Sequence, residues 1–122
     1  MPTPHPGTPV RGSTTGRPIM AAMDLFGRRW ALRVLWELRA GPLGARALLA
    51  RCEGMSSSVL YQRLRELMAS GIIAPSADGY ELTPLGAALS PALRSFHEWA
   101  NTWAQAQEAD ALKEPLTQSG GG

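Results

Sequence analysis

The chain is poor in the residues that usually carry chemistry or cross-linking. It has one cysteine, one lysine and two histidines, and no apolar run approaches the roughly 20 residues of a membrane-spanning helix. A single thiol, Cys52, excludes an intrachain disulfide. The opening stretch, MPTPHPGTPVRGSTTGRP, lacks the central apolar run of a signal peptide, so a reducing, cytoplasmic setting is expected. His5 lies in that stretch and His97 stands apart near the other end. No Cys/His/carboxylate cluster has metal spacing, no glycine-rich loop follows a strand, and no nucleophile motif occurs. The sequence therefore argues against an enzyme, and it points to no catalytic residue, metal or cofactor.

What remains is ample for one modest core: 122 residues, 44% of them apolar. The net charge of +2 conceals an asymmetry. Between Asp24 and Arg65 stand eight arginines against three acids, a balance of +5. From Glu66 onward two bases face seven acids, a balance of −5. A basic first half suits a polyanion on one surface. Codon bias in a GC-rich genome would produce the same preference for arginine.

The organising stretch is SSSVLYQRLRELMASG, residues 56 to 71. Its serines can cap a helix by accepting the first unpaired backbone N–H groups. Leu60, Leu64, Leu67 and Met68 recur at i, i+4, i+7 and i+8 as an apolar stripe. Gly71 follows as a residue able to end the helix in the left-handed region. The opposite face carries Ser57, Ser58, Tyr61, Gln62 and Arg65, with Arg63 at its edge. These groups can hydrogen-bond base edges and phosphates, although most polar helix faces are simply solvated.

In chain order, residues 1–17 are rich in Pro, Gly, Ser and Thr and read as a disordered tail. Pro18 opens a short apolar helix closed by Gly27. Arg29 to Arg39 reads as a central helix, with Trp30, Leu32, Val34, Leu35, Trp36 and Leu38 apolar all round, stopped by Gly41-Pro42. Gly44 to Cys52 is a third helix with Leu48, Leu49 and Cys52 inward. Glu53-Gly54-Met55 then turns into the Ser56 helix, a helix-turn-helix signature. Ile72 to Ala74 and Tyr80 to Leu82 are strands around a Ser76-Ala77-Asp78-Gly79 turn. Thr83-Pro84 starts another helix, with Thr as N-cap. Along it Leu85, Leu89, Ala92, Phe96, Trp99 and Trp103 form a heptad-like seam, with Pro91 expected to kink or divide the helix. Such large seam residues call for a partner, either a second copy or the first helix through Met20 and Met23. The expected fold is mainly α with a small β-hairpin: a winged helix-turn-helix with a short wing and extra terminal helices for dimerisation. The domain spans 18–110, followed by a flexible tail at 111–122.

This order of elements resembles the HxlR-type winged helix-turn-helix regulators, which are bacterial and MarR-like in architecture. The resemblance covers roughly residues 17 to 105. It rests on DLFGRRWALRVLWEL, AGP at 40–42, VLYQRLREL at 59–67, SGII at 70–73, YELTPLGAAL at 80–89 and Phe96-His97-Glu98-Trp99. It implies a dimer on a pseudo-palindromic operator in double-stranded DNA, with terminal helices at the dimer interface and, in several members, a small-molecule response. The assigned DNA-binding residues are Ser56, Ser57, Ser58, Tyr61, Gln62 and Arg65, with Arg63, Arg46, Arg28 and Arg29 on phosphates. For Arg28 and Arg29, helix capping or plain solvation is the competing reading. The assigned dimer interface is Met20, Met23, Leu89, Ala92, Phe96, Trp99 and Trp103. Trp30, Trp36, Phe96 and Trp99 are candidates for a pocket taking an apolar or aromatic effector, against the simpler reading as core.

The departures from the family pattern are informative. Arg17 stands where many members carry a sensing cysteine before the proline, which argues against thiol sensing of that kind. Cys52 falls at a core leucine position and reads as a buried structural thiol. Leu43, Gly44 and Ala45 replace basic and aromatic residues, and Ser58 occupies a position that is often arginine. The wing, Ala-Pro-Ser-Ala-Asp-Gly between Ile73 and Tyr80, has no cation. Arg46 and Arg51 can partly compensate. The function expected is a DNA-binding transcriptional regulator, a repressor, without membrane association. A ligand- or partner-binding module with reduced DNA binding is the alternative.

Overall fold

The computed structural model describes residues 17–113 together with positions 3 and 6. The tails read as disordered at 1–17 and flexible at 111–122 therefore lie outside the described residues, apart from positions 3, 6 and 17 and residues 111–113. Residues 1–88 and 89–122 form two units, each taken by itself below.

The first unit is built around α2 (Ala31–Leu38). Ala31, Val34, Leu35 and Leu38 are buried at the helical spacing of one face. Helix α1 (Pro18–Phe26) and helix α3 (Ala45–Arg51) pack on it. Helix α4 (Ser57–Ala69) lies against α3 and contributes Leu60, Leu64 and Leu67, all fully buried. Each buried leucine is worth about 1.5–3 kcal/mol of transfer free energy. Pro18 sits in the first turn of α1, where its missing N–H costs nothing.

Two expectations about α2 are corrected. The helix starts at Ala31 rather than Arg29 because Trp30 adopts a left-handed conformation, φ +76°. A bulky residue there carries about 1–3 kcal/mol of backbone strain that surrounding contacts must offset. Trp30, Leu32 and Trp36 are also only half-buried, so α2 is amphipathic rather than apolar all round.

Strands β1 (Ile73–Ser76) and β2 (Gly79–Leu82) pair antiparallel, Ile73 opposite Leu82 and Ser76 opposite Gly79. The loop is Ala77-Asp78, and neither residue has a positive φ. Gly79 (φ +127°) instead opens the return strand, so the Asp-Gly signal marks the hairpin but straddles its turn. Pro75, opposite Tyr80, costs the ladder nothing: Tyr80 gives both backbone groups to Leu43, at 2.9 and 3.0 Å.

The Thr83 hydroxyl caps α5 (Pro84–Ala87) by accepting from Gly86 N at 3.1 Å. It also reaches the carbonyls of Gly71 and Ile72 at 2.6 and 3.1 Å, tying α5 to the end of α4. Pro91 divides the expected long helix. Helix α5 ends at Ala87, and in the second unit α6 (Ser90–Lys113) carries Pro91 in its first turn. Helix α6 runs to Lys113, so residues 111–113, assigned to the tail, continue it.

Candidate nucleic-acid interface

The helix-turn-helix is α3, the turn Cys52 to Ser56, and α4. Gly54 takes φ +94° in the turn, and Cys52 closes α3 with its N–H on Leu48 O at 2.9 Å. Of the three serines, Ser56 is the cap: its Oγ accepts from Val59 N at 3.2 Å. Ser70 caps the other end, and Gly71 follows at φ +78°, as its position required. Burial of Leu60, Leu64 and Leu67 turns the other side of α4 outward. Ser56, Ser57, Ser58, Tyr61, Gln62 and Arg65 are all exposed. Tyr61, Gln62 and Arg65 have no hydrogen-bond or ion-pair partner among the described residues. Arg46, exposed on α3, is likewise without an ion pair there.

The remaining assigned cations divide. Arg29 is exposed, with its guanidinium carbon 5.6 Å from the Trp30 ring centroid. Arg28 and Arg63 are not in the outward set. Arg28 donates from Nη1 to Glu66 Oε2 at 2.6 Å and lies 3.6 Å from Asp24. Arg63 donates to Glu66 Oε1 at 2.5 Å and, from Nε, to the Arg29 carbonyl at 2.7 Å. Their side chains are only 13% and 14% exposed. For Arg28 the geometry found is ion pairing, which neither the phosphate assignment nor the competing reading of capping or solvation included. Burial pushes the Glu66 carboxyl up, but hydrogen bonds and charge from Arg63 and Arg28 outweigh it and hold the group below its usual value. Glu66 was not singled out from the sequence. Its i, i+3 spacing from Arg63 is a visible signal, whereas Arg28 is 38 residues away.

The wing tip, Ala77-Asp78, carries no cation, and Asp78 N is satisfied by Ser76 Oγ at 3.2 Å. Arg51, read as partial compensation, is half-exposed and has Glu37 at 3.6 Å. Arg33 is held by Glu37 at 2.8 Å and by the Arg51 carbonyl at 2.6 Å.

Of the pocket candidates, Trp30 lines a wide-open depression with Phe26, Arg28, Arg29, Leu32 and Arg33, and Trp36 is not among its walls. Trp36 has the Arg39 guanidinium 3.7 Å above its ring. Phe96 and Trp99 belong to the second unit. There Phe96, Trp99 and Trp103 form a ladder along α6, with ring centroids 6.2 and 5.7 Å apart and planes within 14°. All three remain more than half exposed. Ala92 is exposed and Leu89 half-buried; on α1, Met23 is exposed and Met20 half-buried. Cys52 is fully buried, and burial raises its thiol above the usual value, with Arg33 pulling it down and Glu37 adding to the rise. No helix is long and apolar enough to cross a membrane among the described residues.

A capped helix behind a glycine turn, followed by a two-stranded wing, defines a winged helix-turn-helix, the fold of this class of transcriptional regulator. The HxlR-like helix-turn-helix family model matches residues 25–108, and the chain belongs to that family of DNA-binding regulators, which are not enzymes. Among its relatives, an uncharacterized HTH-type transcriptional regulator of Bacillus subtilis, YvaP, is 30% identical over 67% of this chain and 82% of its own length. An uncharacterized HTH-type transcriptional regulator of Synechocystis is 31% identical over 76% and 74%. Among solved structures, quinone-bound YodB of Bacillus subtilis is similar at TM-score 0.65 and 27% identity, covering 69% of this chain and 96% of that one. A MarR-family regulator of Enterococcus faecalis V583 is similar at TM-score 0.64 and 31% identity, covering 73% and 87%.

Proposed function

We propose that this regulator is a bacterial, cytoplasmic repressor that binds a pseudo-palindromic operator as a homodimer and answers to a small apolar or aromatic effector. The observation that carries the proposal is the outward row of α4, where the side chains of Tyr61, Gln62 and Arg65 stand exposed without partners among the described residues. In a major groove, Gln62 would read adenine and Arg65 guanine in bidentate geometry. Ser56, Ser57 and Ser58 would add short contacts, and Arg46 and Arg29 would meet phosphates. The exposed ladder on α6, with Leu89 and Ala92, would supply the two-fold interface together with Met20 and Met23 of α1. That pairing would set two α4 helices about 34 Å apart.

The effector reading is supported by the similarity to quinone-bound YodB and, of the aromatic candidates, by Trp30, which lines an open depression with Phe26 and Leu32. With Cys52 buried, a quinone-like effector would bind this chain without forming a bond to its thiol. The second reading, a ligand- or partner-binding module with reduced DNA binding, is favoured by one observation, the cation-free wing tip.

The test is fluorescence anisotropy on the DNA upstream of the protein's own gene, at two salt concentrations. Salt-sensitive binding that prefers this DNA to random sequence, weakened by about 1–3 kcal/mol in Arg65→Ala, supports a base-reading repressor. Equal affinity for random DNA, unchanged by the substitution, rejects it in favour of the second reading.

A further inference from the structure

Glu66 is a carboxylate buried to 8% exposure and shared by two guanidinium groups from different elements. Arg63 comes from the preceding turn of α4, and Arg28 from the α1–α2 junction. Arg28 also faces Asp24 on α1, and Arg63 also takes the Arg29 carbonyl, immediately before the left-handed Trp30. Two acids and two bases thus meet in one cluster, and no buried side-chain polar atom is left unsatisfied among the described residues.

We propose that Glu66 is a positioning residue for DNA reading: its two arginine contacts set the rotation of α4 against the α1–α2 junction. The proposal rests on the assignment of α4 as the reading helix made above. The leucines of α4 also hold it, but the hydrophobic driving force is itself non-directional, and the guanidinium–carboxylate pairs add a fixed angle as well as a distance. Gln62 and Arg65 flank Arg63 and Glu66 in sequence, so any roll of the helix moves both sets together. At the 5–6 Å radius of helical side chains, a roll of about 10° displaces an outward group by about 1 Å. A shift of that size is enough to spoil bidentate contacts that demand a fixed geometry. The network also explains why two cations in the basic half of the chain turn inward. Glu66 orders the helix that carries the readers without touching the base itself.

The test uses the full chain and a duplex of roughly 30 base pairs, recovered by in vitro selection with the wild-type protein, against a random-sequence duplex of the same length. Glu66→Gln and Arg28→Met should each lower the preference for the selected duplex about tenfold, comparable to a mismatched base pair. Random-duplex affinity and its salt slope should stay at wild-type values. A preference within twofold of wild type overturns the proposal. So does a salt slope reduced by about one unit in Arg28→Met, which would make Arg28 a plain phosphate contact. Should Glu66→Gln fail to fold, Arg28→Met, which keeps the Glu66–Arg63 pair, decides alone. If Arg65→Ala leaves the preference unchanged, the reading-helix assignment itself fails. If Arg65→Ala abolishes it and the two network variants do not, only the present inference falls.

Discussion

Leu43 and Tyr80 exchange two backbone hydrogen bonds, 3.0 and 2.9 Å, and so fasten the wing near its tip to the segment leading into α3. Their closeness leaves no room beside them. A Cβ at Gly79 would lie 2.5 Å from the Leu43 carbonyl oxygen and 2.5 Å from Gly44 Cα, at a φ of +127°. Gly79→Ala should therefore cost about 2 kcal/mol or more, read as a lower urea midpoint at unchanged m-value. A shift under half that size would show that the hairpin yields freely.

The Cys52 thiol should be silent in the native state. Burial, the largest influence on it, raises its pKa and also denies reagents access. Iodoacetamide at neutral pH should label the urea-unfolded chain and leave the folded chain untouched over the same time. Rapid native labelling would contradict the burial found.

Acid should act on the Glu66 network. Its carboxyl is depressed in the folded chain, so the stability it adds is fully present above the unfolded value of about 4.5 and lost as pH falls through the folded value. Wild-type stability should thus decline below pH 4.5 more steeply than that of Glu66→Gln. Parallel profiles for the two proteins in chemical denaturation would contradict the depressed carboxyl.

On the proposed homodimer, Trp99 occupies the middle of the aromatic ladder, 6.2 Å from Phe96 and 5.7 Å from Trp103. Placing a carboxylate there would bury unpaired charge in the interface. Trp99→Glu should sediment as a monomer where the wild type sediments as a dimer, with unchanged helix content by far-UV circular dichroism. Dimers that persist through this substitution would move the interface elsewhere.

Much of this architecture was open to reading in the sequence, for identifiable reasons. Leu60, Leu64 and Leu67 repeat at helical spacing, and glycines at 54 and 71 mark the turns before and after α4, both at φ above zero. Thr83-Pro84 announced the start of α5, and Pro91 its separation from α6. The failures concern relations between distant residues. Trp30 looks like one more apolar helix position, because nothing local says that a tryptophan will take a left-handed turn. Arg28 and Arg63 look like free cations until Glu66 comes within 2.6 Å of the first across 38 residues. Leu43 looks like a loop residue, and only its partnership with Tyr80 makes it part of the sheet.

The brevity of the wing bears on how the molecule searches a genome. A two-residue tip ending in Asp78 brings no cation to a neighbouring groove, so on the proposed reading the vocabulary falls to what one helix can spell. A recognition helix brings only three or four side chains to base edges, against roughly a million or more competing addresses. On the proposed homodimer, so short a word would identify a location by being written twice.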